Sequence, residues 1–67
     1  MINPAVGKVY NRFLSCGTLL LQVLVNKVDG LNVNYTVIYT KGYFPMGINL
    51  DLDRINFLRL YQISKYN

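Results

Sequence analysis

Apolar and polar residues alternate along much of this chain. Leu31, Val33, Tyr35, Val37 and Tyr39 alternate with Asn32, Asn34, Thr36, Ile38 and Thr40, and only Ile38 is out of phase. Side chains of an extended strand point to opposite faces in turn, so this period of two predicts a half-buried antiparallel strand. Ile48, Leu50 and Leu52 alternate with Asn49 and Asp51 in the same way and predict another strand. Nearer the start, Lys8 to Phe13 alternates as well, with Val9, Asn11 and Phe13 on one face and Lys8, Tyr10 and Arg12 on the other, outward face. Thr18 to Val28 is apolar on both faces: Leu19, Leu21, Val23 and Val25 on one, Leu20 and Leu24 on the other. Such a strand is central in its sheet or covered on both sides.

The breaks between these pieces are turn-forming. Asp29-Gly30 predicts a two-residue hairpin turn, because both residue types tolerate positive φ. Pro45 lacks a donor for a ladder, so the segment around it is loop or edge. Asp53 is a good helix cap, Arg54 to Phe57 predicts one helical turn, and Leu58 to Ile63 a last strand. The expectation is an all-β protein: one domain over residues 1–67, with a five-stranded antiparallel barrel over about 7–63 and one helical turn before the last strand. Its predicted core is Val9, Leu21, Val23, Val25, Val33, Tyr35, Val37, Leu50, Ile55 and Leu60.

Three local patterns add to this: the opening Gly7-Lys8-Val9-Tyr10, the Val37-Ile38-Tyr39 stretch that ends the long hairpin, and the closing Phe57-Leu58-Arg59-Leu60-Tyr61. In these features the chain resembles the Src-homology-3-like small β-barrels, of the kind seen in short bacterial and phage accessory proteins. The segment around Pro45 is too short for the helix that marks the oligonucleotide/oligosaccharide-binding barrels. The resemblance implies a binding module. The paired tryptophan and acidic loop with which signalling barrels grip proline-rich peptides are missing, so that ligand is not implied.

Composition narrows the chemistry. The 67 residues contain no histidine and three acids, all Asp, so the usual general base and the usual metal cages are missing. Asp29 is expected in a turn and Asp53 in a cap; Asp51 and Asp53 share a strand face, where solvated charges are the simpler reading than a weak cation site. Cys16 lacks a histidine partner and reads as a small turn or core residue. Gly42 and Gly47 lack the Lys-Ser/Thr that completes a phosphate loop. No enzyme, cofactor or metal is expected. The longest apolar stretch, Leu19 to Val25, is far short of the roughly 20 residues of a membrane helix. No basic start or apolar core of a secretion signal is seen at the beginning, and a lone cysteine suits a reducing interior, so a cytoplasmic location is expected, the host cell's if the chain is phage-encoded. Eight asparagines, one alanine and no glutamate give an AT-rich tilt typical of phages and mobile elements.

Surface residues carry the functional expectation. Tyr43, Phe44 and Met46 form an apolar tip beside Lys41, on a segment holding Pro45 and two glycines. Exposed apolar tips mark interaction sites; the competing reading folds this one inward as a plug. The leading expectation is a small non-enzymatic interaction protein, a phage-type accessory factor or inhibitor docking through this tip or a sheet edge on a larger host protein. With a net charge of +4, that partner's surface is expected to be acidic. The first alternative is a nucleic-acid-binding barrel whose face comprises Lys8, Tyr10, Arg12, Arg54 and Arg59, where a tyrosine would stack bases and cations hold phosphates. The second is a structural subunit of a larger assembly. The doubly apolar second strand further predicts a homodimer through Leu20, Leu24 or Ile38.

Overall fold

The computed structural model describes residues 4–42 and 45–63. Its elements are β1 (Val9–Phe13), β2 (Leu19–Asp29), β3 (Asn32–Thr40), β4 (Asn49–Asp53), α1 (Arg54–Leu60) and β5 (Gln62–Ile63). The five strands form one antiparallel sheet in the order β4-β3-β2-β1-β5. The strands and the short helix before the last of them are as the alternation predicts. The sheet is not closed into a barrel, however: β4 and β5 are its opposite edges.

The physical reason lies in α1. Asp53 caps it from an extended conformation, its carboxylate accepting the Asn56 N–H at 3.0 Å. Once started, the helix runs on through Leu58, Arg59 and Leu60, good helix formers with no breaker among them. These residues were expected to begin the last strand. Only Gln62 and Ile63 remain for β5, which pairs with Asn11 and Tyr10 of β1. Closure would need a longer fifth strand reaching β4. Instead α1 lies across one face of the sheet, against β3 and β4, and covers the apolar surface that a barrel would have enclosed.

The core sits between α1 and that face. It comprises Tyr10, Leu21, Val23, Val25, Val33, Tyr35, Val37, Phe57 and Tyr61, with Leu20, Val28, Ile48 and Leu52 packed around it. Six of these nine were expected. Leu50, Ile55 and Leu60 were expected too, but are 40%, 67% and 37% exposed. On a helix of this length Phe57 points to the sheet, Ile55 lies nearly opposite it, and Leu60 falls on the flank. Leu50 lies on the edge strand, where little covers it. Val9 is half-buried on the other sheet face, paired with Leu24.

Three β-bulges reset the alternation. A bulge puts two residues opposite one, and each slip of one residue sends later side chains to the other face. On β3, Val37 pairs with Val23 but Tyr39 with Gln22, so Ile38 is the extra residue. Tyr35 is therefore buried and Tyr39 is turned out, although unbroken alternation puts the two on one face. On β2, Leu20 is the extra residue opposite Arg12 and Phe13, and it tucks against the core. That accounts for part of the apolar character on both faces. Asn26 is the third, between Val25 and Lys27.

The hairpin turn is shifted by one residue from Asp29-Gly30. Asp29 pairs with Asn32, leaving Gly30 and Leu31 as the loop. Gly30 has φ +61, and Leu31, like every other non-glycine residue described, has negative φ. Glycine first and an ordinary residue second is the type II′ pattern that suits strand twist.

Candidate interaction surface

Lys41 and Met46 flank the apolar segment and both are exposed, Met46 at 58%. Tyr43 and Phe44, the other two residues of the predicted tip, lie outside the described residues. Both feet of the segment are held by the sheet: the Lys41 N–H donates to the Leu20 carbonyl at 2.8 Å, and the Gly47 N–H to the Val37 carbonyl at 2.7 Å. Gly47 reaches this bond with φ +77, a conformation few other residues adopt.

The basic-aromatic face is arranged differently from the expectation. Tyr10 is 5% exposed and points into the core, its ring edge-on to Phe57 at 5.2 Å. Its hydroxyl accepts the Ala5 N–H at 2.9 Å, tying the segment before β1 to the core. The outward assignment failed because both faces of Lys8 to Phe13 hold one or two apolar residues, and the deciding factor was the helix, which covers the Tyr10 side. No ring is offered to solvent there. Lys8 is exposed. Arg12 is half-buried and its guanidinium lies 5.9 Å over the Tyr61 ring, a cation–π contact. Arg54 and Arg59 belong to α1: the Arg54 N–H donates to the Leu31 carbonyl, and the Arg59 side chain to Asn56 Oδ1 at 2.6 Å.

Inside, four rings meet. Tyr35 lies 5.4 Å from Phe57 and 5.5 Å from Tyr61, and Phe57 stacks on Tyr61. Burial pushes the Tyr35 phenol well above its ordinary range, aided by its hydrogen bond to Tyr61. These hydroxyls have structural partners, and each lies on a residue with at most 5% exposure.

The face away from α1 carries a polar network that the alternation did not single out. The Asn26 amide donates to Asn34 Oδ1 at 3.1 Å and to the Thr36 hydroxyl at 2.7 Å. Thr36 in turn donates to Asn49 Oδ1, and the Asn34 amide to Asp51 at 3.0 Å. β2, β3 and β4 are thus laced together on the solvent side. The signal was in the sequence as the polar half of each alternating strand, but only the register brings those halves together.

Towards the Gly30 turn this face opens into a cleft of 640 Å³, where Lys27, Asp29, Asn32, Asp51 and Asp53 are among the lining residues. All three carboxylates of the chain are here. Asp53 is held below its ordinary range, first by the Asn56 N–H, then by the Asn56 side chain, with a smaller contribution from Arg59. Lys27 and Asp29 form an exposed ion pair at 3.9 Å, of little energetic weight. Among the described residues, no group of three His, Cys, Asp or Glu is placed to hold a metal ion. Cys16 lies exposed in the β1–β2 turn, its sulfur 3.3 Å from the Thr18 hydroxyl. No helix among the described residues is long and apolar enough to cross a membrane.

No family model, curated protein or solved structure matches this chain.

Proposed function

We propose that this chain is a small non-catalytic binding protein that docks on a larger protein, in the manner of a phage-type accessory factor or inhibitor. One observation carries the reading: side chains the core would be expected to claim stay outside it. Ile55 is 67% exposed and Met46 58%, and Leu58, one helical turn from Ile55, is 36% exposed. Apolar area left in water by so small a fold favours association. The contact region this reading assigns is the segment that carries Lys41, Tyr43, Phe44 and Met46 in sequence, of which Lys41 and Met46 are exposed. A cytoplasmic setting, the host cell's for a phage-borne chain, suits the free Cys16.

The test uses the full chain as bait in lysate of the cell that makes it, with and without nuclease. Phe44→Ala and a Lys8→Ala/Arg12→Ala double variant are run alongside, each first shown to fold. A nuclease-resistant protein partner lost with Phe44→Ala is the expected result. A hot-spot aromatic of this kind is worth on the order of 2 kcal/mol of binding. Capture that disappears with nuclease, or with Lys8→Ala/Arg12→Ala alone, would overturn the reading in favour of nucleic acid.

A further inference from the structure

The outer edge of β4 has a definite hydrogen-bonding phase. The Val37 N–H donates to the Ile48 carbonyl at 3.1 Å, and the Arg54 N–H to the Leu31 carbonyl at 2.6 Å. These bonds flank the β3–β4 ladder, whose pairs run from Asn32↔Asp53 to Thr36↔Asn49. Antiparallel bonds recur at every second residue. Leu50 and Leu52, with the Ile48 carbonyl and the Arg54 N–H, therefore face β3, while Asn49 and Asp51 turn their backbone groups, and Asp53 its N–H, away from the sheet. Among the described residues no strand meets them. Edges are ordinarily blunted by charged side chains, lysine above all, or by proline, a bulge or shortness, and the charges on β4 are the carboxylates of Asp51 and Asp53. The β5 edge is two residues long; β4 has five residues, with no lysine, proline or bulge.

The charge at this edge is opposite to that of the chain. The net charge is +4, yet two of the three carboxylates, Asp51 and Asp53, lie on β4, and the third, Asp29, lines the same cleft. Asp51 and Asp53 project on the outer face, and Leu50 and Leu52 on the helix side. A second copy of β4 laid antiparallel would bring Asp51 and Asp53 towards their own counterparts, and like charges opposite one another destabilise a sheet. Cations opposite Asp51 and Asp53 would be favoured.

We propose that the β4 edge takes up an extended segment of a partner protein as a sixth, antiparallel strand, and that this segment alternates lysine or arginine with apolar residues. Its cations lie opposite Asn49, Asp51 and Asp53, and its apolar side chains continue the Leu50–Leu52 row. Main-chain bonds supply the affinity and the alternate side chains the selectivity, as in other strand additions. The inference rests on the reading of this chain as a protein-binding protein and assigns a surface and a partner chemistry to it.

The experiment titrates a short, end-capped peptide of alternating lysine and valine into the full chain, with backbone amides followed by NMR. Two control peptides are used: one alternating glutamate and valine, and the lysine–valine peptide N-methylated at alternate residues. Expected are shifts of the Asn49 and Asp51 amides with the unmodified lysine peptide and none with either control. Asp51→Asn weakens binding by up to about fivefold, the ceiling for one cross-strand charge pair. Asn49→Pro abolishes it while the protein stays folded, because that N–H takes no part in the β3 ladder. If Asn49→Pro fails to fold, the N-methylated peptide still decides the point. Equal binding of the methylated or the glutamate peptide would overturn the proposal, as would a dimer in sedimentation that Asn49→Pro dissolves. A protein captured from lysate equally well by Asn49→Pro would sink the β4 assignment and leave the binding-protein reading standing; nuclease-sensitive capture alone would sink the reading itself.

Discussion

Phe57 and Tyr61 stack with ring centroids 4.7 Å apart and planes 21° from parallel. They are four residues apart, Phe57 within α1 and Tyr61 at its C-cap, where the Tyr61 N–H donates to the Phe57 carbonyl, and Phe57 is fully buried. This pair is what fastens the helix to the sheet. Phe57→Ala is expected to cost about 3–5 kcal/mol, the usual range for emptying a buried aromatic site. In a chain this small that is most of the stability, so urea unfolding should show a collapsed or lost transition. Ile55→Ala, on the outward side of the same helix, should change the midpoint little.

That contrast also shows what was legible in the sequence. Period-two alternation located four strands and six core residues, because in an extended chain the face is set by parity alone. It ranked Ile55 and Leu60 above Phe57 because a seven-residue helix is too short for its own periodicity to declare which side is covered. Tyr39 was misplaced for a different reason: parity holds only while the register is unbroken, and the extra Ile38 is visible only once β2 is laid beside β3. The candidate site was less legible still. Asn26, Asn34, Thr36, Asn49 and Asp51 are unremarkable as a list, and become a network through the pairing of three strands.

Alkaline conditions should unfold the protein through Tyr35. Its phenol ionises above its ordinary 10.0 when folded, because burial and the bond to Tyr61 favour the neutral form. The stabilising difference is intact below pH 10 and is lost as the pH rises beyond it, where the unfolded chain ionises first. Unfolding midpoints should fall above about pH 10. Tyr35→Phe should flatten that decline, and an equal decline in the variant would assign it to other groups.

Asp53 gives the opposite limb. Its carboxyl is held below 3.8 by the Asn56 N–H and side chain, so its contribution is present at neutral pH and lost as the pH falls through its folded value. Asp53→Asn retains a capping oxygen without the titration, so the unfolding midpoint of this variant should respond less to acid down to about pH 3. Asp53→Ala should lower the midpoint at every pH and reduce the helical signal.

Cys16 should be more reactive than an ordinary thiol. The Thr18 hydroxyl and N–H hold its pKa below 9.0, and the side chain is exposed. Alkylation by iodoacetamide should show a pH–rate midpoint under that value, and Thr18→Val should move it upward. A midpoint unchanged by Thr18→Val would mean that the contact to Thr18 does not set the reactivity.

The aromatic cluster joins the two ends of the described chain: Tyr10 comes from the first strand, Phe57 from the helix after the fourth and Tyr61 from the cap that ends that helix. During synthesis the sheet's apolar face emerges well before its cover. At about 5–20 residues per second, the ribosome releases Val23, Val25, Val33 and Val37 seconds ahead of Phe57. A nascent chain therefore shows bare valine surface to the cell throughout that interval. Translation pausing between β4 and α1 would lengthen the window for chaperone capture or aggregation, while leaving the finished protein's structure unchanged.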